Sequence, residues 1–285
     1  MAVQPVTYGQ SERPPRGDYS VARADYTCAQ PIAQYSAADH DRWRRLYADR
    51  LKGLPGLAAD EYLQSLHSLA ASGAIPSLDD ASEPLYRATR WQLVAVPGLI
   101  PENAFFALLA ARKFPVTWWL REEDEFHYIV EPDIFHDFFG HVPLLFNPMF
   151  ADYMQAYGEG GLKADRLHAL QYLARLYWYT VEFGLIRTDA GLRVYGAGIL
   201  SSGSEPRHAL YSPKPKRVAF DLMRVMRSLY KIDDFQSTYF VIDSYEQLFR
   251  ETAPDFTPLY EQLQRMADIP AGEILPTDRL YPANA

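Results

Sequence analysis

His136 and His141 stand five residues apart in EPDIFHDFFGHVPLL (residues 131–145), where two imidazoles, three carboxylates and two prolines interrupt an otherwise apolar run. Neutral imidazole nitrogens suit iron, zinc, copper or nickel, so metal binding is the chemistry this pair suggests. The plain alternative is two hydrogen-bonded core histidines. Pro132 fits the first turn of a helix and Asp133 adds negative charge at its positive end, which predicts a short helix from Pro132 toward Gly140. On an ideal helix five residues span about 140°, so the two rings would lie on different faces. They converge only if the helix ends or bulges between them. Gly140 offers a break at low steric cost, and Pro143 stops clean continuation. The pattern differs from the HExxH zinc motif, whose histidines share one continuous face with a glutamate between them. Here the intervening acid is Asp137.

A metal needs a third ligand, and the candidate is Glu182. Residues 167–186, LHALQYLARLYWYTVEFGLI, read as one helix with Leu170, Leu173, Leu176, Tyr177 and Val181 near helical spacing. Its second half carries a single charge, Glu182, and a carboxylate in such a run is costly to bury unless a cation pairs with it. The alternative is a solvent-facing Glu182 at a helix end before Gly184. Two histidines and one carboxylate on one side of a metal leave positions open, the ligand set of non-haem Fe(II) oxygenases.

Helices must position these groups. Ser36 and Asp39 form a capping-box pattern opening a helix to about Leu51, and residues 60–72 make a second with Tyr62, Leu63, Leu66 and Leu69 inward. WQLVAVPG from Trp91 reads as a short strand; a helix then follows Pro101 to about Lys113, with Phe105, Phe106, Leu108 and Leu109 on its apolar side. PVTWWLR from Pro115 reads as a strand ending in Arg121, whose plain role would be a surface ion pair with Glu122, Glu123 or Asp124. Asn147 and Pro148 open a helix that Gly158, Gly160 and Gly161 would close. Downstream come a hairpin turning at residues 189–191, a short helix capped by Ser204, a helix over DLMRVMRSLYK, a strand over QSTYFVID, and helices opening at Ser244 and Thr257. The expected fold is mainly α with a few short strands, an α+β chain dominated by helix and without a βαβ rhythm.

Composition narrows the function classes. The 285 residues are 48% hydrophobic, enough for a substantial core, with no interior linker. Net charge is −8 with no basic block, which argues against nucleic acid as partner. Cys28 is the single cysteine, so no intrachain disulfide forms. The opening residues lack a signal-peptide core and no stretch approaches the ~20 apolar residues of a membrane span, so a cytoplasmic protein away from membranes is expected. Residues 1–35 read as a flexible or surface-laid arm, 36–268 as the main domain and 269–285 as a tail.

EPDIFHDFFGHVPLL, WYTVEFGL (178–185) and YGAGILSS (195–202) together resemble the signature segments of the pterin-dependent aromatic amino acid hydroxylases. The resemblance extends to YSAADHDRWRRLYADR and DDFQSTYFVIDS, covers roughly residues 35–265, and points most closely to short bacterial phenylalanine 4-hydroxylases. It implies a single catalytic domain of that family's type. It also implies hydroxylation of L-phenylalanine to L-tyrosine with O2 and a tetrahydropterin, tetrahydrobiopterin or a relative, at Fe(II) held by His136, His141 and Glu182. Carried over motif by motif, Phe105 would stack on the pterin and Arg121 would hold the substrate carboxylate. Tyr128, Pro132, Trp178 and Ser201 would line the substrate pocket; Tyr177 and Asp137 would belong to the catalytic centre, the first beside the iron and the second next to the first ligand. Ile129 departs from the threonine frequent in animal members, so one hydrogen bond to substrate is not carried over. A chain of this length leaves no room for the regulatory domain and tetramerising helix of larger animal members, and a monomer is expected. The alternatives are a tryptophan or tyrosine hydroxylase of the same family, a zinc hydrolase using Asp137 as base, and a non-catalytic protein that keeps the helical scaffold.

Overall fold

Ser36 Oγ accepts the Asp39 N–H while the Asp39 carboxylate accepts the Ser36 N–H, and this reciprocal cap starts α1 (Ala37–Gly53). The structure, a computed structural model, describes residues 16–127, 129, 131–232 and 234–284; expectations for residues 1–15 and for Tyr128 lie outside these. After α1 come α2 (Asp60–Ser68), α3 (Leu78–Thr89), β1 (Gln92–Val96), α4 (Glu102–Ala110) and β2 (Lys113–Thr117). A π-helical turn, His136–His141, runs into a 3-10 turn, Val142–Phe146, and then α5 (Pro148–Arg166) and α6 (Leu170–Tyr177). A second π-helical turn, Trp178–Glu182, precedes β3 (Leu185–Thr188), β4 (Gly191–Val194), α7 (Ala197–Leu200) and α8 (Glu205–Tyr211). The chain finishes with β5 (Lys216–Ala219), α9 (Leu222–Arg227), β6 (Thr238–Ile242), α10 (Tyr245–Thr252), α11 (Thr257–Leu263) and β7 (Leu280–Tyr281).

Helix dominates, as expected, but two small sheets brace it. β1 and β2 pair in parallel across α4, a local βαβ unit that the sequence pattern hides. The second sheet has the order β4-β3-β6-β5-β7. β7 pairs antiparallel with β5, and at the opposite edge the Asn284 side-chain amide both donates to and accepts from Leu192 of β4. Beside it, residues 57–59 exchange backbone hydrogen bonds with Val194. Trp43, Tyr62, Phe135, Phe138 and Phe139 sit fully buried where α1 and α2 pack on the first π turn. Among the described residues no helix is long and apolar enough to cross a membrane.

Several boundaries differ from expectation for physical reasons. β2 stops at Thr117 rather than at Arg121, because the next backbone groups bond the histidine segment: Ile134 N–H donates to Trp119 O at 2.9 Å and Arg121 N–H to Asp133 Oδ2 at 2.9 Å. α9 ends at Arg227, short of Lys231, because Ile269 bridges the chain there through the Arg227 carbonyl and the Leu229 N–H. α3 is a helix with Pro84 inside it, where a proline argues against one, and β5 is a strand that two cationic residues mask.

The three glycines expected to close α5 lie within it, and the helix runs on to Arg166. Their reason is contact: a Cβ on Gly161 would overlap the Phe106 ring and one on Gly158 would overlap α4 backbone at Ala110, whereas Gly160 faces open space. α4 therefore lies against α5 at a distance only glycine permits, and this fixes the helix that carries Phe105. Gly161→Ala should destabilise the fold by about 1–3 kcal/mol through overpacking. Gly160→Ala should instead add up to about 1 kcal/mol of helix propensity. Denaturant midpoints of the two variants against the parent check both signs.

Candidate metal centre

In an α-helix His136 and His141 would point apart; in the π turn that spans them, hydrogen bonds reach five residues back and the two side chains stack above one another. Their Nε2 atoms are 3.3 Å apart. The bulge expected between them is present, but Gly140 does not break the helix. It lets α7 come close: a Cβ there would sit 2.9 Å from the Ala197 carbonyl. Glu182 ends the second π turn, not a continuous α-helix, and its Oε1 is 3.2 Å from His141 Nε2 while Oε2 is 3.6 Å from His136 Nε2. One ligand atom from each of the three lies within 4.8 Å of the others.

Hydroxyl groups satisfy backbone that these turns would leave loose. Tyr62 O–H donates to Phe139 O at 2.6 Å, and Thr180 O–H donates to Leu176 O at 2.6 Å while pairing with Tyr153 at 2.9 Å. Gly196 and Gly198, where close backbone approach was expected, press on Glu182 itself, and the Gly198 N–H bonds its carboxylate.

The electrostatics favour a cation. Burial holds His136 down at about 4, so its ring is neutral. Ser201 Oγ lies 2.9 Å from His136 Nδ1 and donates its one proton to Ala197 O at 2.9 Å, so it accepts from Nδ1–H and leaves the Nε2 lone pair facing Glu182 and His141. Burial works against charge on both His141 and Glu182, and each offsets it for the other: His141 is raised and Glu182 lowered, and a metal ion would take the place of the proton on His141. Two nitrogen donors and one oxygen donor on one side of a shared point fit Fe(II) with positions left open.

The other sequence-predicted residues surround this point. Burial pushes Asp137 up to about 7, and its Oδ2 accepts the Thr117 N–H at 2.7 Å. The Tyr177 ring lies 6.2 Å from His141, and Phe105 meets Tyr177 edge-on at 5.8 Å, so α4 reaches the centre through that ring. Trp178 opens the second π turn, and Pro132 is half-buried at the start of the histidine segment. Arg121 is not a surface residue paired with Glu122, Glu123 or Asp124. It is 2% exposed and makes a two-pronged bond to Asp133, both distances 2.8 Å.

Asp133 is the residue sequence reasoning undervalued. It is fully buried, and although burial would raise it, Arg121 holds its carboxyl below the usual range. Its Oδ1 also accepts the His136 N–H at 2.9 Å, so one carboxylate ties Arg121 to the first ligand. An acid directly after Pro132 and three residues before His136, with Arg121 upstream, was the available signal. Tyr230 and Gln236, which touch Trp178, gave no signal in the sequence.

Residues 8–266 match the family described as biopterin-dependent aromatic amino acid hydroxylase. The chain is 59% identical over 267 residues to a phenylalanine-4-hydroxylase of Ralstonia nicotianae, covering 93% of this chain and 85% of that one. It is 57% identical over 255 residues to the Chromobacterium violaceum phenylalanine-4-hydroxylase, covering 89% and 86%. The crystal structure of the Chromobacterium violaceum phenylalanine hydroxylase bound to cobalt superposes with a TM-score of 0.90 at 56% identity, covering 91% of this chain and 95% of that one. With the ligand geometry and the fold in agreement over nearly the whole length, the chain belongs to the biopterin-dependent aromatic amino acid hydroxylases.

Proposed function

We propose that the protein hydroxylates free L-phenylalanine to L-tyrosine with O2 and a tetrahydropterin at a mononuclear Fe(II) held by His136, His141 and Glu182. The convergence of three ligand atoms within 4.8 Å carries this reading, in a chain 57–59% identical to phenylalanine-4-hydroxylases. When bound, the iron and pterin supply the activated oxygen and the electrons that monooxygenation needs.

The chain's own residues arrange the reactants. Asp133 fixes the guanidinium plane of Arg121 through Nε and Nη2, and Nη1 is the group that would meet the substrate carboxylate. Trp178 and Pro132 form walls for the aromatic ring, and the family resemblance would add Tyr128, which lies outside the described residues. Ser201 serves the site through His136, holding that imidazole in the tautomer a metal requires. Phe105 offers the pterin a flat apolar face, and Tyr177 separates it from His141. Asp137, anchored by Thr117, is placed to steer His141 or a water molecule. Family membership sets aside the zinc-hydrolase reading. Ring selectivity is a matter of pocket volume, and the named relatives favour phenylalanine over tryptophan or tyrosine. A cytoplasmic location, which a single free and buried cysteine suits, and a monomeric state complete the reading.

His141→Ala and Glu182→Ala should each abolish iron retention and turnover while far-ultraviolet circular dichroism stays unchanged; tyrosine formation by iron-free Glu182→Ala protein would refute the ligand assignment. Anaerobic Fe(II) loading, followed by air, a tetrahydropterin and each aromatic amino acid in turn, should yield tyrosine from phenylalanine as the dominant product. Light scattering behind size exclusion should give a mass near 32.5 kDa.

A further inference from the structure

Trp178 is gripped on several sides by groups to which nothing above gives a role. The Tyr230 ring lies almost parallel to the indole, centroids 4.3 Å and planes 16° apart, and Phe183 covers it at 4.6 Å. The indole N–H donates to Gln236 Oε1 at 3.0 Å.

Gln236 is itself held. It is 4% exposed, and its Nε2 donates to Lys231 O at 2.9 Å and to Asp234 O at 3.4 Å, closing the loop between α9 and β6 on itself. Its backbone N–H donates to Glu205 Oε1 at 3.4 Å, an atom that also accepts the Tyr239 O–H at 2.8 Å. One residue beyond Trp178, Tyr179 O–H donates to Leu229 O at 2.7 Å, so the same loop is tied to the second π turn at both of its ends.

A tryptophan side chain has two torsions and one donor. A stacked ring and a satisfied N–H restrain both torsions, because rotation would part the rings and break the hydrogen bond of a half-buried donor. Four residues later on the same turn stands Glu182, so the plane of Trp178 is set relative to the metal centre and not merely to the pocket rim. Hydroxylation at one ring carbon requires the substrate ring to be held within a fraction of an ångström of its productive place.

We infer that Tyr230 and Gln236 are positioning residues that set the plane of Trp178 and, through it, the placement of the substrate ring. The inference rests on the reading of Trp178 as a wall of the phenylalanine site.

The test uses the Fe(II)-loaded enzyme with L-phenylalanine and a tetrahydropterin, comparing Gln236→Leu, Tyr230→Leu, Tyr230→Phe and Trp178→Ala. The readouts are iron content, both KM values, and tyrosine formed per pterin oxidised. Gln236→Leu and Tyr230→Leu should raise the phenylalanine KM about fivefold and lower tyrosine per pterin, with iron content and pterin KM within about twofold of the parent. Tyr230→Phe, which keeps the stacked ring, should retain parental values. Should Gln236→Leu fail to fold, the two Tyr230 variants decide the matter. If Tyr230→Leu and Gln236→Leu match the parent in phenylalanine KM and coupling while Trp178→Ala does not, the clamp is refuted and the wall stands. If Trp178→Ala also matches the parent, the wall reading fails and the clamp falls with it.

Discussion

The metal centre depends on two helical turns that each hold more residues than an α-helix allows. Five residues separate the histidines, and only a turn with hydrogen bonds reaching five residues back brings their rings to one side. The second such turn rotates Glu182 to meet them. A turn of this kind packs less well along its axis and leaves backbone groups misaligned, so it survives where neighbours make good the loss. Tyr62 does this for the Phe139 carbonyl and Thr180 for that of Leu176, each from a buried hydroxyl. The ligand set is thus held by polar contacts to the backbone as much as by side-chain packing.

Close backbone approach is the second constraint. Gly140 admits the carbonyl of Ala197, while Gly196 and Gly198 admit the backbone and carboxylate of Glu182. α7 therefore lies wedged between the two π turns and supplies Ser201 to His136 from its end. On the other flank, Asp133 joins Arg121 to the first ligand in a fully buried pair. Groups proposed to hold substrate and groups proposed to hold metal share the same supports, so a shift in one carries to the other.

How much of this was legible in the sequence depends on the range of the cause. The grouping of His136, His141 and Glu182 was, because two histidines beside a glycine and one carboxylate in an apolar helix are local anomalies. The caps of α1 and α5 and the hairpin after β3 were legible for the same reason. What failed was set by contacts distant in the chain. The glycines of α5 look like a stop signal until α4 lies against them, and Arg121 looks like a surface cation until Asp133 is folded under it. The π turns themselves could only be posed as a geometric requirement, since no residue type marks them.

The open sheet carries one last implication. A strand with bare backbone on one side is a template for any other strand, its own copies included. Here β7 occupies the free side of β5, and on β4 the side-chain amide of Asn284 stands in for a missing peptide. The last described residues thus cover backbone that another strand could otherwise pair with.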